Sequence, residues 1–200
     1  MRYERKDAPY RRAKAEGFRA RSAYKLAELD DRARLLRRGD RVVDLGAWPG
    51  GWIQVALDRI GPSGRIVAVD LAPIDPFPGC PVETVVGDLR DPAVIAALRE
   101  RLGSPADIVL SDAAPKLTGV RDVDEARSSE LVGAVLDAIP VLLEPGGRAL
   151  LKLFMDSGYT ATSARLRELF AEVKTTRPAS SRRGSAELYL VARGLRGPTR

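Results

Sequence analysis

Twelve residues, RVVDLGAWPGGW from Arg41 to Trp52, constrain this chain more than any other stretch. β-Branched Val42 and Val43 lie in an apolar run between Gly39 and Gly46, which predicts a strand over Arg41–Leu45. Gly46, Pro49, Gly50 and Gly51 predict a turn, after which Ile53, Ala56, Leu57 and Ile60 recur at helical spacing. A strand, a glycine-rich turn and a helix N-terminus make a place where backbone N–H groups and close main-chain approach receive a nucleotide-like ligand. The glycine spacing matches neither the G-x-G-x-x-G of dinucleotide sites nor the G-x-x-x-x-G-K-[ST] of phosphate loops. Asp44 is the informative residue. A carboxylate at the strand end repels a pyrophosphate and attracts a cation, an electrostatic match for the sulfonium and ammonium groups of S-adenosylmethionine.

The rest of the chain alternates. Strands are predicted at Gly64–Leu71, Val82–Val86, Ala106–Leu110, Arg148–Phe154, Lys174–Arg177 and Glu187–Ala192. Helices are predicted from Ser22 to about Arg37, then at Asp91–Leu102, Glu125–Leu143 and Thr160–Val173, with Ser22 and Asp91 as caps and a kink at Pro140. Such alternation implies an α/β fold: a mostly parallel sheet with helices on both faces. Ligands of such sheets sit at the carboxyl ends of the strands. Asp44, Asp70, Asp88 and Asp112 all fall at or just past such ends, and Asp70 lies one βαβ step beyond Asp44, where a carboxylate takes the ribose hydroxyls of a nucleoside.

Composition narrows the chemistry. The chain has 200 residues, no histidine and one cysteine, Cys80. That excludes Ser-His-Asp and Cys-His catalysis, an internal disulfide and most zinc sites, and leaves a carboxylate, lysine or tyrosine as any general base. No apolar run is long enough for a membrane span, and the N-terminus lacks a signal-peptide core, so a cytoplasmic protein is expected. The net charge of +6 is unevenly placed: residues 1–21 hold eight Arg/Lys against three acids, and residues 174–200 hold seven against one. Residues 1–20 interleave Arg and Lys with Tyr3, Tyr10 and Phe18, the composition of a basic, flexible arm that contacts nucleic acid, ahead of a single domain over 21–200. Arg11, Arg12, Arg19 and Arg21 are its candidate phosphate contacts, joined by Arg182 and Arg183 in the loop before Glu187.

Two lysines break local rules. Lys25 is a cation in the first turn of its helix, where the dipole disfavours it and a capping box would place Glu or Gln. Lys152 interrupts the apolar strand LLKLF, although only six of the 33 basic residues are lysines. Arginine cannot deprotonate, whereas a desolvated lysine can, so the choice of lysine in a buried strand points to proton chemistry.

At these residues the chain resembles the FtsJ-like ribosomal RNA 2′-O-ribose methyltransferases, a branch of the Rossmann-like S-adenosylmethionine-dependent enzymes. RSAYKL carries the family's first lysine at Lys25, DLGAWPGGW its cofactor loop, SDAAP its acid at Asp112, LLKLF its second lysine at Lys152, and SRRGSAELYLVA its glutamate at Glu187. The resemblance implies a seven-stranded sheet with an antiparallel last strand, and a catalytic set of Lys25, Asp112, Lys152 and Glu187. It implies an S-adenosylmethionine site of Asp44, Gly46, Gly50, Gly51, Trp52, Asp70, Asp88 and Asp112, with Asp70 on the ribose and Asp88 on the adenine amino group. It implies in-line methyl transfer to a ribose 2′-oxygen by a monomer, most simply on a uridine of large-subunit ribosomal RNA during assembly. A transfer RNA or cap substrate, or a non-catalytic assembly factor, stays open. Two residues depart from the family pattern: Trp48, where alanine is usual, and Lys116, where the nearest members carry asparagine.

Overall fold

The computed structural model describes residues 8–116, 118–155, 158–180 and 186–197, with the backbone alone over 8–10. Seven strands form one sheet: β1 (Arg41–Leu45), β2 (Arg65–Asp70), β3 (Val82–Val86), β4 (Ala106–Ser111), β5 (Leu143–Phe154), β6 (Phe170–Thr176) and β7 (Glu187–Leu195). Among the described residues there are six helices: α1 (Ala8–Ala15), α2 (Ala23–Ala33), α3 (Gly51–Ile60), α4 (Pro92–Leu102), α5 (Arg121–Leu142) and α6 (Tyr159–Leu169). The strand order is β3-β2-β1-β4-β5-β7-β6, parallel from β3 to β5, with β7 antiparallel to both its neighbours. This is the expected Rossmann-like sheet with its reversed last strand. Among the described residues no helix is long and apolar enough to cross a membrane, and no cluster of side chains could hold a metal ion.

The pleat decides which side chains meet, because successive residues face opposite sides of the sheet. Val43, Leu45, Val67, Val69, Val109, Leu151 and Leu153 enter one buried cluster with residues of α4, α5 and α6. The alternate set, Val42, Ile66, Ala68, Ile108, Leu110, Leu150, Tyr189 and Val191, packs with α2 and α3. Asp44 shares the second parity with Val42, Asp70 with Ile66 and Ala68, Asp112 with Ile108 and Leu110, and Lys152 with Leu150. The polar residues at the strand ends therefore continue apolar rows that face α2 and α3.

Trp52 locks these helices down. Its indole is 2% exposed, lies 6.1 Å from the Tyr189 ring, and donates Nε1–H to the Ser22 carbonyl at 2.9 Å. Full burial of a side chain of this size contributes a few kcal/mol, roughly 1.5–3 for smaller ones.

Several boundaries differ from those read in the sequence. α2 stops at Ala33 because Asp30 folds back to accept the N–H groups of Leu35 and Leu36, both at 2.8 Å, and Arg34 turns left-handed with φ +47°. Ser22 makes no side-chain cap, whereas Asp91 caps α4 on Ala93 N–H at 2.8 Å, with Pro92 at its first position. α5 begins four residues early, its first turn carrying Asp122 and Asp124, and runs through Pro140 to Leu142. α6 ends at Leu169 because the buried Phe170 already belongs to edge strand β6.

The largest correction concerns the N-terminal arm. The scarcity of aliphatic residues over 1–20 predicts a flexible segment, yet from Ala8 onward the chain is helix and turn docked on the domain. Ala13 is buried, Phe18 meets the Tyr24 ring edge-on at 5.5 Å, and Tyr24 donates to Glu16 at 2.7 Å. Aromatic and hydrogen-bonded contacts replace the missing aliphatics. Residues 1–7 lie outside the described residues.

Candidate active site

Register brings the catalytic candidates together. Ser111 pairs with Leu151 across the parallel β4–β5 ladder, so Asp112 arrives beside Lys152. Lys152 pairs with Tyr189, and Phe154 with Glu187, across the antiparallel β5–β7 ladder. Lys25 comes down from the first turn of α2. Its Nζ forms an ion pair with Glu187 Oε2 at 2.6 Å, and the lysine side chain is 7% exposed. Lys152 Nζ donates to the main-chain oxygen of Asp112 at 2.5 Å and meets its Oδ1 at 3.0 Å, again with 7% of the side chain exposed. The four residues expected from the sequence are thus brought together as two pairs, each of a buried lysine and a half-buried carboxylate.

Tyr189 joins them, a residue that the sequence motifs do not single out. Its hydroxyl donates to Asp112 Oδ1 at 3.1 Å, and its ring centroid lies 5.9 Å from Lys25 Nζ. Burial, then the charges of Asp112 and Glu187, push its phenol far above the ordinary tyrosine range, so it remains a neutral donor. The positive charge of Arg21 acts in the opposite direction on that phenol. The available signal is parity: Tyr189 stands two residues beyond Glu187 in a strand, hence on the same face.

Beside the lysines opens a cleft of about 600 Å³, lined among others by Gly46, Trp48, Asp70, Asp88, Asp112 and Lys116. Gly46 has φ +81°, and a Cβ there would stand 2.6 Å from Ala113 Cα, so only glycine lets the β1 and β4 loops approach this closely. Asp70 accepts Trp48 N–H at 2.9 Å and Ala72 N–H at 3.0 Å, tying two strand-end loops together. Asp88 is gripped by Arg90, side chain and main chain, which holds its carboxyl at about 2. A larger groove, about 960 Å³, runs between α4 and α5, contains none of the site candidates and meets the smaller cleft along Leu89, Arg90 and Glu130; the strand-end acids Asp70, Asp88 and Asp112 line the smaller cleft.

Asp44 sits buried at the same strand ends. It is 1% exposed, and neither carboxylate oxygen has a hydrogen-bond partner among the described residues. Burial first, then repulsion by Asp112 and Asp70, pushes its carboxyl well above the usual range. An orphaned carboxyl flanked by two further acids is a demand for a positive ligand. A nucleoside bearing cationic groups meets that demand, with Asp70 and Asp88 along the cleft for its hydroxyls and base. The donor set fits S-adenosylmethionine.

The other expected residues are placed as follows. Trp52 is core, as described above, and does not line the cleft. Gly50, with φ +105°, packs against Phe77 and Arg19, and Gly51 against Ala20; both shape the start of α3. Arg19 is spent inside the fold: its guanidinium lies 3.7 Å from the Phe77 ring centroid and donates to the carbonyls of Asp75 and Pro76 at 2.6 and 2.7 Å. Its guanidinium is thus held by the chain itself. Arg12 pairs with Glu16 at 2.7 Å over the Tyr24 ring, while Arg11 is exposed on α1. Arg182 and Arg183 lie outside the described residues.

A parallel sheet with a reversed last strand, carrying a nucleoside-sized acidic cleft at its switch point, defines a Rossmann-like S-adenosylmethionine-dependent methyltransferase. The comparisons narrow the class. The chain belongs to the FtsJ-like methyltransferase family, whose model matches residues 18–195. It is 47% identical to the ribosomal RNA large subunit methyltransferase E of Methanothermobacter thermautotrophicus, over 96% of this chain and 92% of that protein. It is 49% identical to the protein of the same name from Azoarcus sp. strain BH72, over 95% and 92%. Among solved structures, a Plasmodium falciparum chain described as a ribosomal RNA methyltransferase superposes with a TM-score of 0.79 at 30% identity, over 90% of this chain and 100% of that one. Aeropyrum pernix fibrillarin, crystallised with natively bound S-adenosylmethionine, shares the fold at a TM-score of 0.61 and 19% identity, over 86% and 76%.

Proposed function

We propose that this protein methylates the 2′-oxygen of a ribose in large-subunit ribosomal RNA, on a uridine, acting as a monomer in the cytosol during ribosome assembly. The names of its relatives supply the RNA class. The observation that carries the chemistry is the pair of buried lysine–carboxylate contacts sharing Asp112 with the cofactor cleft. One carboxylate at the boundary of both sites brings the reacting hydroxyl and the cofactor to a common point.

S-adenosylmethionine, when bound, supplies an electrophilic methyl group on its sulfonium. Asp44 would answer its positive charge, Asp70 its ribose and Asp88 its adenine amino group. The remaining work is to activate a ribose hydroxyl, a weak nucleophile at neutral pH. Lys152 is the group for that. A neutral lysine has two N–H donors and one lone pair. Asp112 holds the Lys152 amine through its main-chain oxygen and Oδ1, and with its proton released the amine would offer its lone pair to the hydroxyl proton. Lys25, fixed by Glu187, stands as a nearby cation to stabilise the oxygen as it gains negative charge. Tyr189 holds Asp112 in place through its hydroxyl. Arg11, Arg12 and Arg21 would engage RNA phosphates, with Arg182 and Arg183 as further contacts.

Large ribosomal subunits from cells lacking this protein, incubated with it and radiolabelled S-adenosylmethionine, provide the test. A ribose 2′-O-methyl blocks attack of that oxygen on the adjacent phosphodiester, so label should concentrate in one alkali-resistant dinucleotide. Label recovered in alkali-labile mononucleotides would mean base methylation and contradict the assignment.

A further inference from the structure

Trp48, in the turn between β1 and α3, has an unusual place in the structure. Its indole is 58% exposed, although the chain's other tryptophan, Trp52, is 2% exposed. Its neighbour on the rim, Leu71, is 70% exposed. Both line the same cleft as Asp70, Asp88 and Leu89. Asp70 brings them there: its Oδ2 accepts the Trp48 N–H, its Oδ1 the Ala72 N–H, and Leu71 lies between the residues so tied. Two large apolar side chains on one rim, anchored by the carboxylate assigned to the ribose, are not scattered surface hydrophobics. They form an apolar rim on the cleft beside Asp70.

We propose that Trp48 packs its indole on the nucleoside moiety of the cofactor, adding an aromatic contact that alanine in this position cannot make. The inference rests on the cofactor reading of the cleft. A flat indole covering a flat heterocycle excludes water from both, and stacking of this kind is sequence-tolerant and substantial. Because S-adenosylmethionine and S-adenosylhomocysteine share the adenosine, Trp48 strengthens substrate and product binding alike.

The chain has only two tryptophans, so the difference in emission between wild type and Trp48→Phe isolates Trp48 from Trp52. Wild type and Trp48→Phe are titrated with each ligand, and calorimetry gives the affinity independently. The expected result is a change in wild-type emission with both ligands, tracking the calorimetric affinity and absent in Trp48→Phe. Trp48→Ala should bind both roughly tenfold more weakly, with Trp48→Phe restoring most of the loss and both variants melting as the wild type does. Calorimetric binding with unchanged wild-type emission would overturn the proposal. So would emission that responds to a single-stranded RNA oligonucleotide and not to either ligand. Absence of calorimetric binding would instead remove the cofactor reading beneath it.

Discussion

Asp44→Asn separates stability from function at one atom pair. The wild-type carboxyl is 1% exposed, has no hydrogen-bond partner among the described residues, and sits in the field of Asp70 and Asp112. Its folded pKa is raised above the unfolded value of 3.8. The favourable contribution is therefore fully present below 3.8 and is lost as pH rises through the raised folded value. Asparagine keeps the volume and removes both the ionisation and the repulsion. A buried polar group left unsatisfied costs about 1–3 kcal/mol, more when charged, so the cofactor-free variant should gain at least about 1 kcal/mol at pH 8. For a chain of this size that is a rise in Tm of about 2–4 °C, shrinking as pH falls toward 4. The same change should forfeit cofactor binding. Wild type at a hundredfold excess over Kd gains ~2.7 kcal/mol, and the variant should gain far less at that concentration. Calorimetric melting with and without S-adenosylmethionine, from pH 5 to 8, reads both effects. A cofactor-free variant less stable than wild type at pH 8, or an undiminished cofactor shift, would refute the reasoning.

Three further changes probe the surrounding elements. Arg90→Ala should return the Asp88 titration from about 2 toward 3.8, read by carboxyl NMR; Asp88 contributes to stability above 3.8, and that contribution is lost as pH falls toward 2, so an unmoved titration would mean another group holds it. Arg19→Ala should lower stability by about 1–3 kcal/mol through loss of two hydrogen bonds and the Phe77 contact, and a melt unchanged from wild type would return Arg19 to the RNA surface. Arg11→Ala should leave the melt alone and lower the salt slope of RNA binding by about 1, whereas an unchanged slope would take Arg11 out of the interface.

The fold is legible in the sequence because its signals are local and periodic. Alternating strands and helices, and acids at four strand ends, specify a parallel sheet and the edge where ligands bind. The lysines are legible as violations: Lys25 against the helix dipole, Lys152 inside an apolar strand. Side-chain destinations are harder to read. Trp52 follows the glycines in sequence as closely as a cofactor contact would, but the helical turn after Gly51 carries it into the core against Tyr189. Arg19 reads as one cation of a basic run, and nothing local reveals that the Pro-rich loop some fifty residues later offers it a ring and two carbonyls. Asp44 is the reverse case: a carboxylate at a strand end beside glycines already draws notice in the sequence, and in the structure both its buried oxygens lack a hydrogen-bond partner among the described residues.

Lys152→Arg tests the central claim most directly. Arginine can still reach Asp112 but stays a cation, with no lone pair to accept the hydroxyl proton. Single-turnover methylation of large subunits should fall by about a hundredfold or more, the usual loss of a general base, while calorimetric binding of S-adenosylmethionine and filter binding of RNA stay at wild-type levels. A Lys152→Arg rate within a few-fold of wild type, across pH 6 to 9, would contradict proton acceptance by Lys152 and leave orientation by the two fixed cations as the source of the rate.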